Sequence, residues 1–394
     1  MKILLTADWH FHDTNRLEDF VASTEKMVNY AIDNKIKHIF IVGDMYFNWK
    51  PSTAERTALH AVLAKAIFAG IDVVIIMGNH DVNEKEQRFI QHSLSEFVDI
   101  SSDKITLVYS KPRGIILKDG DRSYTVYMIP HLSKAYLATL HAKGPTSYKD
   151  AFLEAVTQGN PASLILSHTL VMDAIDGPAT NEERGLSLAD FKTVLMTNMF
   201  MGDIHGHKIL QESPLVGYIS SPERITFNEI DDLKGFVVFD LASQEYEFVP
   251  LNTRKFFQLT MDLNKCEFKF QGVGEPVSEP MGQGDRTDIA VAILKAAKEM
   301  ISDAVVKLVI IGHKSELNLI NRHAVINQLK LCNPFKIVKV AFESTDDTVA
   351  RDVTFNGHMT AQDAFKKWAE KQTYEDKTLG EAVFAAGLEI LNEA

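Results

Sequence analysis

Toward the N-terminus, hydrophobic positions follow two alternating periods. The short apolar runs "KILLTA", "HIFIV" and "IDVVIIM" are bounded by polar or glycine-containing segments, as buried strands are. Between the first two, Leu17, Phe20, Val21, Thr24, Met27, Val28, Ala31 and Ile32 recur at the spacing of one helical face. Pro51 and Ser52 open a second helical pattern, with Ser52 and Glu55 at capping-box spacing and Gly70 as its stop. The order βαβαβ predicts parallel strands joined by crossover helices.

In sheets of this kind the ligand crevice lies beyond the carboxyl ends of the strands. Asp8-Trp9-His10, Gly43-Asp44 and Gly78-Asn79-His80-Asp81 all fall at such ends. Two later runs repeat the arrangement: "SLILSH" ends at His168, and "VLMTNMFMGDIH" ends at Asp203 and His205. Taken alone, "MGDIHGHK" is either a metal site or a polar turn, because Gly-Asp and Gly-His pairs are ordinary turn chemistry. Convergence of five strand ends favours the metal. Carboxylates, imidazoles and an asparagine carbonyl suit Mn²⁺ or Mg²⁺, with Zn²⁺ or Fe²⁺ as further options. So many donors exceed the needs of one ion with open positions. Two ions about 3.5–4 Å apart, bridged by Asp44, would clamp both oxygens of a phosphoryl displacement.

Composition narrows the class. A chain of 394 residues with 45% hydrophobic content supports two or three domains. Its 41 basic and 53 acidic side chains give a net charge of -12, which argues against holding nucleic acid by charge alone. Phosphate handling would then need bound cations, a basic groove or a partner subunit. Cys266 and Cys332 are the only cysteines, which excludes a disulfide framework and a thiolate zinc site. No apolar run approaches the ~20 residues of a membrane span, and "MKILLTADWH" turns polar too early for a signal peptide. A cytoplasmic setting and no membrane contact are expected.

Beyond residue 252 the pattern changes. "RKFFQLTMDL" and "VVKLVIIGH" are strand-like, with the helical "DIAVAILKAAKEMI" between them, which predicts a small α+β unit. "QDAFKKWAEKQ" and "TLGEAVFAAGLEILNEA" then read as two helices, with Phe365 and Trp368 on one apolar face and Leu379, Val383 and Ile390 on another. The expected domains are 1–252, 253–355 and 356–394.

The order D-x-H, G-D, G-N-H-D, H, G-x-x-H resembles the calcineurin-like metallophosphoesterase superfamily. "SSPERITFNEIDDLKGFVVFDL", residues 220–241, is similar to a segment of the SbcD-type DNA repair nucleases, and Ser221, Arg224, Lys234, Gly235 and Phe236 carry that likeness. The resemblance implies an α/β fold: a four-layer αββα sandwich with a small α+β capping domain that contacts DNA, and a C-terminal helical pair. It puts Asp8, His10, Asp44 and His205 on one divalent metal, and Asp44, Asn79, His168 and Asp203 on a second, both most simply Mn²⁺. His80 becomes the non-ligand histidine that stabilises the phosphorane and protonates the leaving oxygen. Asp81 orients His80 or caps a helix start.

The implied activity is Mn²⁺-dependent 3′ to 5′ exonuclease and single-strand endonuclease cleavage of DNA, in end processing, repair or recombination. The implied partners are a second copy, through helices of the nuclease domain, and an SbcC-type ATPase. Phe365, Trp368, Leu379, Val383 and Ile390 would seat the ATPase coiled coil. Two positions depart from the family. Asp203 stands where the last motif, Gly-His-x-His, has its first histidine, and His207 is then a surface loop residue. Phe47 stands where many relatives carry a histidine used in proton transfer. A stand-alone phosphodiesterase for nucleotides or phosphoproteins, and a non-catalytic scaffold, are the alternatives.

Overall fold

The computed structural model describes residues 1–85, 92–95, 104–109, 111–141, 147–175, 186–272 and 277–346. The expected helical pair, with Phe365, Trp368, Leu379, Val383 and Ile390, lies outside the described residues.

The first sheet has the order β12-β11-β1-β2-β3-β4. Its strands are β1 (Lys2–Thr6), β2 (His38–Val42), β3 (Asp72–Ile76), β4 (Ile105–Val108), β11 (Gly235–Asp240) and β12 (Tyr246–Pro250). β1 to β4 run parallel, as the βαβαβ pattern predicts, and β11 adds antiparallel to β1. The second sheet has the order β5-β6-β7-β8-β10-β9. It contains β5 (Arg113–Asp119), β6 (Arg122–Ile129), β7 (Leu164–His168), β8 (Met199–Gly202), β9 (Lys208–Glu212) and β10 (Leu215–Tyr218). β10 pairs parallel to β8, so the hairpin β9-β10 folds back and places its second strand inside the sheet.

The side-chain period of two explains the layering. Leu4, Ile39 and Ile41 face α1 (Leu17–Asp33) and α2 (Thr53–Phe68), whose Phe20, Met27, Val28, Leu59 and Val62 are buried on them. Ile3, Leu5, Phe40 and Val42 point the other way and meet Val126, Leu164, Leu166 and Phe200 of the second sheet. The far face of that sheet, with Ile165, Met199 and Val216, carries Phe152 and Val156 of α4 (Tyr148–Gly159), which follows α3 (Lys134–His141). Strands covered on both faces must be apolar at nearly every position, which is why the parallel runs read as continuous. Each buried Val, Leu, Ile or Phe is worth about 1.5–3 kcal/mol. The resulting α–β–β–α order is the four-layer sandwich expected from the sequence. α2 begins at the capping box read from the sequence: Ser52 Oγ accepts from the Glu55 amide at 3.2 Å, and Glu55 Oε2 accepts from the Ser52 amide at 2.7 Å.

A third sheet, in the order β15-β14-β13-β16-β17, comprises β13 (Phe256–Asp262), β14 (Glu267–Gln271), β15 (Val277–Pro280), β16 (Val305–Gly312) and β17 (Lys336–Ser344). One face is covered by α5 (Arg286–Ala296) and α6 (Arg322–Leu331), which bury Leu294, Val325 and Leu329 on Leu259, Met261 and Leu308. Arg254 ties this unit to the sandwich: its guanidinium meets both oxygens of Asp19 at 2.7 Å and Asp303 at 2.6 Å. Among the described residues, no helix is long and apolar enough to cross a membrane.

Candidate metal centre

The crevice forms where the parallel strands end. Asp8 and His10 follow β1, Asp44 follows β2, Asn79 and His80 follow β3, His168 ends β7, and Asp203 and His205 follow β8. Adjacent loops are stitched together by backbone bonds, Asp8 N–H to Gly43 O at 3.1 Å and His10 N–H to Asp44 O at 3.0 Å. The Asp203 N–H donates to the Asp8 carboxylate at 3.1 Å. Four of these residues take left-handed backbone conformations, with φ of 55° at Asp8, 44° at His10, 54° at Asp44 and 95° at Asp203. Such turns reverse the chain abruptly and aim the side chain back over the sheet edge. The glycines of the motifs supply room. A Cβ on Gly43 would sit 1.9 Å from His168 Nδ1, one on Gly78 would sit 2.0 Å from Asp44 Oδ1, and one on Gly202 would sit 2.3 Å from the Val42 carbonyl.

The donors meet. Ligand atoms of Asp8, His10 and His205 lie within 4.8 Å of one another, as do those of Asp8, Asp44 and His168, and those of His10, Asp44 and His80. Asp44 Oδ2 is 3.4 Å from His10 Nε2 and 3.4 Å from His168 Nε2, so it occupies the middle. Asn79 Oδ1 and Asp203 Oδ1 lie 2.9 Å and 3.7 Å from His168 Nε2. Asp8, His10, Asp44 and His168 are buried, whereas Asn79, His80, Asp203 and His205 are half-buried. Both ring nitrogens of His10 are sealed from solvent and have no hydrogen-bond partner among the described residues. A buried imidazole in that state costs free energy unless something else engages it. A cation among these oxygen and nitrogen donors fits.

Electrostatics point the same way. Burial raises the Asp8 carboxyl to about 6, against the pull of His168 and His205. Asp44 is also desolvated, but His168 and then His10 hold it well below the usual carboxylate range. Burial opposes charge on His168, yet Asp44 and Asp8 overcome this and lift the ring to about 10. Its Nδ1 lies 2.9 Å from the Val42 carbonyl, so with Nδ1–H committed there, Nε2 faces the carboxylates. Burial holds His10 well below the ordinary histidine value, against the pull of Asp44.

Several supporting contacts were not legible in the motifs. Glu229 Oε1 accepts from His205 Nδ1 at 3.0 Å, and its other oxygen meets the buried Lys234 ammonium at 2.8 Å. Lys234 Nζ also donates to the His205 carbonyl at 2.9 Å. The 220–241 segment thus wraps around His205, and Arg224 closes the wrap by donating to the Asp232 carbonyl at 2.8 Å and to Thr253 Oγ1 at 2.6 Å. The sequence signal for Glu229 was Thr226-x-x-Glu229, a capping-box spacing that the structure contains.

Two expected details come out differently. Asp81 does not hold the His80 ring: its carboxylate accepts from the amides of Asp44, Met45 and Gly78 at 3.0–3.1 Å and from Ser93 Oγ at 3.2 Å, which fastens the Gly78–Asp81 loop to the Asp44 loop. The His80 ring is held instead by Nδ1 at 2.8 Å from the backbone carbonyl of Phe47. His207 is half-buried, not a surface residue; it stacks on Phe248 at 4.3 Å, and its Nδ1 donates to the Tyr218 carbonyl at 2.9 Å. It belongs to none of the donor groups described here.

Residues 1–185 match the calcineurin-like phosphoesterase family. The chain is similar to the DNA double-strand break repair protein Mre11 of Methanosarcina mazei, 22% identical over 369 residues, which is 90% of this chain and 54% of that protein. It is also similar to the protein of that name from Archaeoglobus fulgidus, 23% identical over 75% of this chain and 69% of the relative. The chain therefore spans about half the length of the Methanosarcina relatives. Among solved structures, a dimetal phosphatase from Danio rerio aligns with 71% of this chain and 98% of its own at 12% identity, with a TM-score of 0.38. The calcineurin-like phosphoesterase match, over residues 1–185, thus falls on the part of the chain that supplies Asp8, His10, Asp44, Asn79 and His168 of the donor cluster.

Proposed function

We propose that the protein is a Mn²⁺-dependent DNA nuclease, with exonuclease action from 3′ ends and endonuclease action on single strands. The observation that carries this reading is the buried His10 ring, with neither nitrogen hydrogen-bonded among the described residues and Nε2 3.4 Å from Asp44 Oδ2. Asp8, His10, Asp44 and His205 would hold one cation, and Asp44, Asn79, His168 and Asp203 the other. Two such cations supply Lewis acidity to the phosphoryl group and lower the pKa of water. His80 donates Nδ1–H to the Phe47 carbonyl, so Nε2 is the atom that carries the second proton of the imidazolium and releases it to the leaving oxygen. DNA is favoured over other phosphodiesters by the similarity to the Mre11 relatives, which are DNA double-strand break repair proteins.

The third sheet acts in this reading as a capping and DNA-contact domain, fastened through Arg254. The protein works in the cytoplasm as a homodimer and as the nuclease subunit of an SbcC-type ATPase complex in end processing. A net charge of -12 suits a nuclease that relies on a partner to grip DNA. Cleavage of labelled duplex and single-stranded DNA, against a small chromogenic phosphodiester, all with saturating Mn²⁺, tests the reading. Turnover of the small ester without DNA cleavage would favour a stand-alone phosphodiesterase; no turnover at all would favour a scaffold. Truncation before Ala361 is expected to retain Mn²⁺-dependent cleavage and lose co-purification with the ATPase.

A further inference from the structure

The loop after Asp44 builds an aromatic wall beside the donor cluster. The Phe47 ring lies 6.0 Å from His10, edge-on at 63°, and 5.7 Å from His80. His12 lies flat on Phe47, with ring centroids 4.6 Å apart and planes 12° from parallel. Asp8, His10 and Asp44 are sealed, while His12, Phe47 and His80 are half-exposed, so the wall stands where the cluster meets solvent.

A phenyl side chain at this position has no proton to transfer. The hydrogen bond between this residue and His80 is made by its backbone carbonyl, and the side chain contributes only an apolar ring. One edge of that ring packs on the core behind the first sheet. His12 Nε2 lies 3.2 Å from Thr14 Oγ1, which fixes the plane of the outer ring. The same loop carries Trp49, with the Lys50 ammonium 4.6 Å over its ring. Flat aromatic faces beside a mobile cation are how proteins hold unpaired strands, because every base has a π-face and every linkage a negative phosphate.

We propose that the His12–Phe47 stack is a platform for the nucleobase next to the bond that is cut, and that it selects substrates with an unpaired base at that position. A base laid against His12 would place its own phosphate toward His80 and the carboxylate cluster. A base still stacked within a duplex cannot reach this wall, so single strands and frayed ends are the preferred substrates. The proposal rests on the nuclease reading and adds to it the residues that read the base.

The test compares kcat/KM for an oligonucleotide with a natural base at the scissile position and for its abasic counterpart, in wild type, Phe47→Leu and His12→Ala. Wild type is expected to favour the base by about tenfold, mostly through KM, and each variant to bring the ratio to about one. His12→Ala removes a half-exposed ring and guards against a folding defect in Phe47→Leu. Fluorescence of 2-aminopurine at the same position, recorded with chelator-treated protein, is expected to be quenched by wild type and not by the variants. A ratio near one in wild type, or an undiminished ratio in both variants, overturns the platform while leaving DNA cleavage intact. Absence of both cleavage and binding of DNA by wild type would overturn the nuclease reading itself.

Discussion

Nδ1 of His205 lies 3.0 Å from Oε1 of Glu229, and that carboxylate is itself clamped by Lys234 at 2.8 Å. The contact commits Nδ1–H to the carboxylate, so the lone pair of Nε2 is aimed at Asp8 and His10. Partners of this kind around metal-binding histidines are worth 10–100-fold in affinity. Glu229→Gln, which keeps the shape and loses the charge, is expected to weaken one of two Mn²⁺ equivalents by about that factor in calorimetric titration. Unchanged affinity at both sites would remove Glu229 from the site. Glu229→Ala should be worse for stability, because it leaves the buried Lys234 ammonium with Asp232, at 3.3 Å, as its carboxylate partner.

His80→Ala is expected to lower DNA cleavage by about 10²–10⁴-fold, with metal content and Tm near wild type. Its ring touches the cluster from the half-exposed side and hydrogen-bonds the Phe47 carbonyl through Nδ1. Cleavage within a few fold of wild type at saturating Mn²⁺ would take the proton-donor role away from it.

Asp203 and His207 should part company. Asp203→Ala is expected to lose one metal equivalent and activity. His207→Ala should keep both metals and lose about 1–2 kcal/mol of stability, from the stack on Phe248 and the bond to the Tyr218 carbonyl. Elemental analysis and melting curves of the two variants check this. The reverse pattern of metal loss would shift the register of the last motif by two residues.

Stripping the metals should make stability fall as pH rises from about 7 toward 10, because the depressed value of His10, which favours the fold as pH rises, is already fully expressed above 6.5. In the metal-free fold, burial raises Asp8 to about 6 and Asp81 to about 7, both from 3.8, and Asp44 and Asp8 carry His168 from 6.5 to about 10 against the effect of burial. Each folded value lies above its unfolded one, so the folded state binds protons more tightly. The contribution of the two aspartates is complete below pH 3.8 and gone above about 7; that of His168 is complete below 6.5 and gone above about 10. Bound cations replace those protons. The rise in Tm on adding Mn²⁺ is therefore expected to be larger at alkaline than at acidic pH; a constant rise would show that the cluster does not exchange protons for metal.

The donors at the ends of β1, β2, β3, β7 and β8 could be read in the sequence because each directly follows its own apolar run, so motif and strand carry one local signal. Ser52 and Glu55 were legible for the same reason. Glu229 and Lys234 were not assigned a role because they act on His205 only after the chain has returned through β9 and β10 and wrapped back. The insertion of β10 beside β8, instead of an outward-growing meander, leaves no mark in periodicity. His207 looked like a surface residue because its partner Phe248 lies on β12 of the other sheet, and hydropathy says nothing of such a distant face. Asp81 resembled a side-chain orienter next to His80, but its oxygens answer to amides of a loop some 36 positions earlier in the chain.

The left-handed turns at Asp8, His10, Asp44 and Asp203 bear on the scaffold alternative. For residues other than glycine, each such conformation costs about 1–2 kcal/mol relative to a relaxed backbone. Glycine at any of the four would relieve that cost and delete a carboxylate or imidazole. A protein that served only as a platform would relieve that strain and lose only local bonds, such as those that Asp8 accepts from the Asp203 amide and Asp44 from the His80 amide. This chain instead retains a liability at four places that its core must outweigh, and a bound cation is what would make that liability useful.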